Sequence, residues 1–410
     1  MNWAKKASKQ NPQMSKQAQR QPPTVDRAET VSFTLRELLL YFLRLGTFGF
    51  GGPIALAGYM QRDLVEQRCW VSKSDYLEGL AFSQLSPGPL AAQLAIYIGW
   101  LRAGFMGATL VGSAFILPSF LMALVLAALY VHFGSLPWIQ GMFYGIGSAV
   151  IAIIVRSAIK LVRTTVGKDL LLWVIFVALA LTTAVTQSEI IGLFILSGFV
   201  ALLIKAPLSL ARVGSMFSFG VVTPLLTGIH GVAALATVGV LFLFFLKAGA
   251  FVFGSGLAIV PFLYGGVVVK FHWLTEPQFV DAVAVAMITP GPVVITSAFI
   301  GFLVAGILGA VVAAAAVFAP PFLIVVFGAP YYRRFAQNPQ VKAFVQGVTA
   351  AAVGSIAGAA YILARRSLVD LPTAIIAIAT LAVLLAIKKI PEPVLILAAG
   401  AIGVLLHGTR

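Results

Sequence analysis

Beyond residue 32 the chain alternates long apolar runs with short clusters of charge, the pattern of successive membrane spans. A hydrocarbon core of roughly 30 Å takes about 20 helical residues to cross. Runs of that kind lie near 36–60, 76–101, 104–131, 139–161, 169–186 and 190–204, with a short one near 213–229. A second set lies near 232–262, 278–302, 303–327, 343–363, 372–387 and 393–407. The expected fold is an all-α polytopic membrane protein of about thirteen spans.

The two sets are related. At an offset of 203 (247 − 44), residues 44–118 align with 247–321 without a gap. Identical pairs include Gly46/Gly249, Phe48/Phe251, Phe50/Phe253, Gly51/Gly254, Ala55/Ala258, Trp70/Trp273 and Pro118/Pro321. The chain therefore divides into a tail at 1–32, a repeat at 33–205, a linking segment at 206–230 and a second repeat at 231–410. Crossing of 213–229 makes the repeats inverted; otherwise they are parallel. With the tail cytoplasmic, inversion puts Lys270, Arg333, Arg334, Lys342, Lys388 and Lys389 inside, and Arg365, Arg366 and Arg410 outside. Arg102, the cluster Arg156/Lys160/Arg163/Lys168, and Lys205/Arg212 fall inside either way. The positive-inside rule favours inversion.

Composition fixes the class. Hydrophobic residues make up 60% of the 410 and charged residues 10%, with a mean hydropathy of +1.00. A soluble chain carries roughly a quarter charged residues, so lipid must be the solvent here. The net charge of +15 comes mainly from the tail and loops, and no nucleic-acid partner is expected. The tail, with Lys5, Lys6, Lys9, Lys16, Arg20 and Arg27, lacks the apolar stretch of a signal peptide and is expected to be disordered and cytoplasmic. Cys69 is the only cysteine, and His132, His230, His272 and His407 are scattered, so neither metal site nor cofactor is expected.

Three features of each half carry chemistry. The first is a glycine-rich break, Phe48-Gly49-Phe50-Gly51-Gly52-Pro53, matched by Phe251-Val252-Phe253-Gly254-Ser255-Gly256. The second is Ser86-Pro87-Gly88-Pro89, matched by Thr289-Pro290-Gly291-Pro292. Such breaks end one helix and begin another, and are tolerated in a membrane only inside protein or beside a water-filled cavity. A helix start carries about half a positive charge and free N–H groups, which suit an anion near the bilayer midplane. The third is a pair of charges: Arg44/Lys247 to attract an anion, and Glu78/Asp281 to carry protons or pair with those cations. Gln93, Thr296 and Ser297 follow the second break and are expected to face the anion. Each feature also has a plainer explanation, as packing kinks or as charges at a membrane surface.

A first motif of FGGP type (Phe50 to Pro53), then Ser86-Pro87-Gly88-Pro89, then a repeat carrying Thr289-Pro290-Gly291-Pro292 resembles the chromate ion transporter family, in its long two-domain branch. The resemblance spans nearly all of 36–366. It implies inverted repeats with discontinuous helices and an inner-membrane carrier that exports chromate and confers chromate resistance. It also implies a substrate region around Gly51, Gly52, Pro53, Ser86, Pro87, Gly88 and Pro89, with Thr289, Pro290, Gly291 and Pro292 opposite. The second half has Phe253-Gly254-Ser255-Gly256 and lacks the proline, which weights contact toward the first half. Sulfate is nearly isosteric with chromate, so a sulfate or other oxyanion carrier is the neighbouring alternative, and an anion channel the alternative from another class. An enzyme would need a clustered catalytic set, and the sequence shows none. Membrane lipid is an expected partner, and a homodimer is compatible with these features.

Overall fold

The computed structural model describes residues 31–50, 52–134, 136–187, 190–206, 233–252, 256, 259–332, 338–387 and 390–407. The tail to residue 30, the linking segment from 207 with its run at 213–229, and Gly51, Gly254, Ser255, Arg212, Arg333, Arg334, Lys388, Lys389 and Arg410 lie outside the described residues.

Helix α1 (Leu35–Phe48) opens with a capping box: Thr34 Oγ1 accepts from the Glu37 amide at 3.2 Å, and the Glu37 carboxylate accepts from the Thr34 amide at 2.7 Å. The helix stops at Gly49, and the chain turns back as α2 (Gly52–Met60), continued by a wider helical stretch through Gln61–Gln67. The Val31 amide donates to the Cys69 carbonyl at 2.9 Å, and Phe33 stacks on Trp70. The run 36–60 is thus a re-entrant hairpin, not the single span expected from its hydropathy. A second hairpin follows. Helix α3 (Lys73–Leu85) runs inward to the SPGP break, and the first limb of α4 (Leu90–Phe133) returns until Arg102 donates to the Phe33 carbonyl at 2.8 Å.

At Ala103–Gly104 the backbone leaves helical geometry and α4 folds over, with Gly99 and Gly107 meeting backbone to backbone. Its second limb then runs the depth of the bundle, and α5 (Pro137–Leu161) runs back. Helices α6 (Leu170–Thr186) and α7 (Ile191–Lys205) form a further antiparallel pair. The second half repeats the plan. Helices α8 (Ala233–Ala250) and α9 (Ile259–Leu263), the latter continued through Lys270, make the first hairpin. Helix α10 (Glu276–Ile288) and the start of α11 (Thr296–Gly328) make the second, and α11 folds over at Ala305–Gly306. Helices α12 (Pro339–Ser367), α13 (Leu371–Ala386) and α14 (Glu392–His407) complete the bundle. Pro137–Val166 and Pro339–Ser367 are long and apolar enough to cross a membrane; so, by length, are the folded stretches Leu90–Phe133 and Val293–Tyr331.

Polar contacts sort the helix termini into two ends. At the first end, with Phe33 and Arg102, Lys205 Nζ reaches Asp169 at 2.6 Å and Gln346 at 2.9 Å, and Arg156 reaches Glu392 at 3.2 Å. At the opposite end, the Tyr144 hydroxyl donates to Asp370, and Arg366 bonds Gln187 at 2.8 Å and pairs with Glu276. Helix α3 starts at the first end and α10 at the opposite one, so the repeats are inverted. One charge moves accordingly. Because α8 and α9 form a re-entrant hairpin, Lys270 returns to the opposite end beside Thr186, not to the end expected had 232–262 crossed.

The halves interlock. Helix α5 packs on α13 and α14, while α12 packs on α6 and α7. Gly145 lies against the Ala399 carbonyl and Gly347 against the Ser197 carbonyl, a close backbone approach that small residues permit. The gapless alignment holds only to the PGP breaks. Beyond them the equivalent pairs Gly99/Gly301 and Gly107/Gly309 are offset by 202 (301 − 99). The cause is the tight turn Val293–Ile295, whose rise of about 2.0 Å per residue against 1.5 Å covers the same length with one residue fewer. Pro118 therefore corresponds to Pro320, and Pro321 to Ser119.

Candidate functional site

The two breaks meet across the halves. The Gly88 amide donates to the Val252 carbonyl at 2.5 Å, and the Gly291 amide donates to the Gly49 carbonyl at 3.0 Å. Ser119 Oγ, fully buried, donates to the Pro290 carbonyl at 2.7 Å. This corrects one expectation: the central amides of both PGP motifs are held by the other repeat's carbonyls and are not free for an anion. Each half supplies the acceptor for its partner because a buried N–H without one would cost about 1–3 kcal/mol.

A cavity of about 120 Å³ opens beside this clasp at the first end. That is well above the roughly 10–15 Å³ one water needs on this scale, so a five-atom oxyanion fits. Its walls join Gly49, Phe50, Gly52 and Pro53 of the first-half break to Thr289, Gly291 and Val293 of the second-half break. Helix α5 adds Arg156 and Lys160, and α14 adds Glu392. Both α2 and α14 begin on this wall, which turns their positive ends toward the cavity. Arg156 Nη1 lies 3.2 Å from Glu392 Oε1, each side chain 28% exposed, so the cavity holds two cations and one resident carboxylate. Such a set attracts a dianion that can displace the carboxylate from the guanidinium.

Only some of the residues expected from the sequence line this cavity. Gly52, Pro53, Thr289 and Gly291 line the cavity. Ser86, Pro87, Gly88, Pro89 and Gln93 do not: Gln93 is fully buried and donates to Ser86 Oγ at 3.0 Å and the Pro87 carbonyl at 2.7 Å, bracing the loop. Thr296 Oγ1 is spent on the Val293 carbonyl, and Gly256 packs against Val293. Ser297 Oγ is buried without a partner among the described residues and does not line the cavity. Arg44 and Lys247 lie on separate outer grooves. The carboxylates are placed by the inversion. Asp281, buried, accepts from the Tyr130 hydroxyl at 2.8 Å across the halves, in a cavity of about 520 Å³ at the opposite end with Gln140, Tyr144, Glu276 and Arg366. Glu78 is half-buried at the first end, where its charge acts on Tyr332, the structural counterpart of Tyr130. Along α5 the two cavities are separated by the buried run Ile151–Ile154, and along α10 by Val283–Val285.

Three residues of the site escaped the sequence. Arg156 and Lys160 are one helical turn apart, so they share a face, and two cations inside the run 139–161 were the available signal. Glu392 carried none, because it is 236 residues from Arg156.

The chain matches the family described as "Chromate transporter" over residues 36–203 and 239–404. It is 55% identical over 392 residues, covering 94% of this chain and 98% of the relative, to the "Chromate transport protein" of Cupriavidus metallidurans. It is 53% identical to the "Probable chromate transport protein" of Synechococcus elongatus, over 91% of this chain and 96% of that one. A "Chromate transport protein" of Pseudomonas aeruginosa is 30% identical over 90% and 91%. No solved structure matches.

Proposed function

The chain belongs to the chromate transporter family, and from that membership we propose that it exports chromate from the cytoplasm by alternating access, with the Arg156 cavity as its cytoplasm-facing station. The cationic cavity between the two breaks is the observation that carries this reading. Orientation follows from charge. Arg102, Arg156, Lys160, Arg163, Lys168, Lys205 and Lys342 belong to the first end, which the positive-inside rule assigns to the cytoplasm of a bacterial inner membrane. A dianion leaving a negative-inside cell gains about 4.6 kcal/mol per 100 mV, so the potential alone favours export.

Purified chain in liposomes is expected to carry chromate with saturating kinetics, and its expression in a sensitive bacterium to lower chromate accumulation. Unchanged accumulation in cells with verified membrane expression defeats the substrate assignment. Competition by sulfate in everted vesicles decides between chromate and a broader oxyanion range.

On this reading Asp281 and Glu78 exchange protons against the anion, a role supported by their positions at opposite ends, each beside a tyrosine of the other half. The Asp281→Asn variant is expected to flatten the dependence of flux on external pH. An identical pH profile in that variant removes Asp281 from coupling.

A further inference from the structure

Arg44 and Lys247 hold equivalent places in the two repeats, and each lies on the wall of an open groove outside the central cavities. The groove at the first end, about 600 Å³, is bordered by Glu37, Tyr41, Arg44, Arg62, Asp63 and Arg68. Its counterpart at the opposite end, about 550 Å³, is bordered by Leu243, Phe244, Lys247, Phe262 and Lys270. Arg44 is ten positions past the Thr34 cap, about 15 Å along the helix at 1.5 Å per residue. At that depth a cation without an anion costs a few kcal/mol. Among the described residues neither Arg44 nor Lys247 has a salt-bridge partner, though both are exposed.

The carboxylates of the first groove are already committed. Glu37 is held in the capping box, with Thr34 Oγ1 donating to it at 2.8 Å. Asp63 accepts from Arg62 at 2.9 Å and from the Tyr41 hydroxyl at 3.4 Å. Arg68 lies over the rings of Trp70 and Tyr41, beside the aromatic pair that marks this end of the hairpin. The Arg68 charge also acts on Glu37, so three arginines face two carboxylates, and the excess positive charge, with Arg44 outside any ion pair among the described residues, is left for an outside anion. The rim is apolar: Leu40 is 55% and Phe48 71% exposed. Deep cation, shallow cation and an apolar wall open to lipid together match an amphiphile with a phosphate head.

We propose that the Arg44 groove binds an anionic phospholipid, its phosphate between Arg44 and Arg68 and an acyl chain along Leu40 and Phe48. The Lys247 groove takes the equivalent lipid in the other leaflet, with Lys270 in the place of the shallow cation. This assignment stands apart from the transported substrate, since neither groove includes Arg156 or Lys160.

The test is lipid retention by the full-length chain in detergent, titrated with phosphatidylglycerol against phosphatidylcholine and read by native mass spectrometry. Wild type is expected to retain phosphatidylglycerol selectively. Arg44→Gln and Arg68→Gln are each expected to lower that retention about fivefold, the worth of one basic residue near the surface. Arg44→Lys should keep most of it, because a phosphate accepts a point charge. Lys247→Gln should weaken the second bound lipid only, and with Arg68→Gln it keeps the test available if Arg44→Gln does not fold. Unchanged retention in both Arg68→Gln and Lys247→Gln overturns the proposal. So does displacement of phosphatidylglycerol by soluble chromate or sulfate, which would assign the grooves to the transported anion.

Discussion

Replacing Arg156 by Gln is expected to weaken chromate transport about 10- to 100-fold, mainly as a rise in apparent KM. A hydrogen bond to a charged group is worth about 1.5–3 kcal/mol, and this one is made in a partly desolvated cavity. The loss has a second component. Without its guanidinium partner at 3.2 Å, Glu392 becomes an unpaired carboxylate facing an incoming dianion. Adding Glu392→Gln to the Arg156→Gln chain should therefore recover part of the affinity, and the two effects should be non-additive. Glu392→Gln alone is expected to lower KM and to slow turnover, because nothing competes the anion off Arg156. Initial rates in everted vesicles over a range of chromate concentrations measure all three variants. An Arg156→Gln chain with wild-type KM and Vmax would sink the assignment of the cavity.

The second large effect is expected at Gly291, where the clasp between halves leaves no room for a side chain. Its φ is +96°, and a Cβ there would stand 2.0 Å from Ser119 Oγ. The backbone conformation alone costs an L-residue about 1–3 kcal/mol. The clash adds to this, since Ser119 cannot rotate away without giving up the Pro290 carbonyl. Gly291→Ala should lower the thermal midpoint by several degrees and abolish most flux, because the loop that moves is a wall of the cavity. Gly104→Ala is the control. It also sits at positive φ, +56°, but nothing lies within 4 Å of its added Cβ. Unfolding curves in detergent compare them. A Gly291→Ala midpoint no lower than that of Gly104→Ala would mean that the two repeats are not locked together at this point.

Much of this architecture was legible in advance, for reasons tied to particular residues. The paired Trp70/Trp273 and the doubled PGP exposed the duplication, because repeated local chemistry survives as repeated sequence. The breaks at Gly49 and at Gly88 were found because glycine and proline act on the backbone where they stand. Inversion was favoured by loop charge, and the polar contacts at the helix ends bear it out. The route of the chain between those points was less legible. An apolar run of a given length reads the same whether its helix crosses or turns back, so hydropathy alone predicts spans at 36–60 and 232–262 and puts Lys270 at the wrong end.

The sequence by itself determined the solvent, the repeat and the positions where helices break, since hydropathy and backbone preference are properties of each residue and its neighbours. Only the tertiary structure decided which break faces which. Gly49 is joined to Gly291 and Val252 to Gly88 because the inverted halves clasp each other, and no local property encodes a partner some 200 residues away. The same packing brought Arg156, Lys160 and Glu392 to one cavity and left Arg44 and Lys247 on outer grooves at opposite ends. Charge near a helix break was readable from the chain; which side of the helix it faces depended on how α5, α10 and α14 pack.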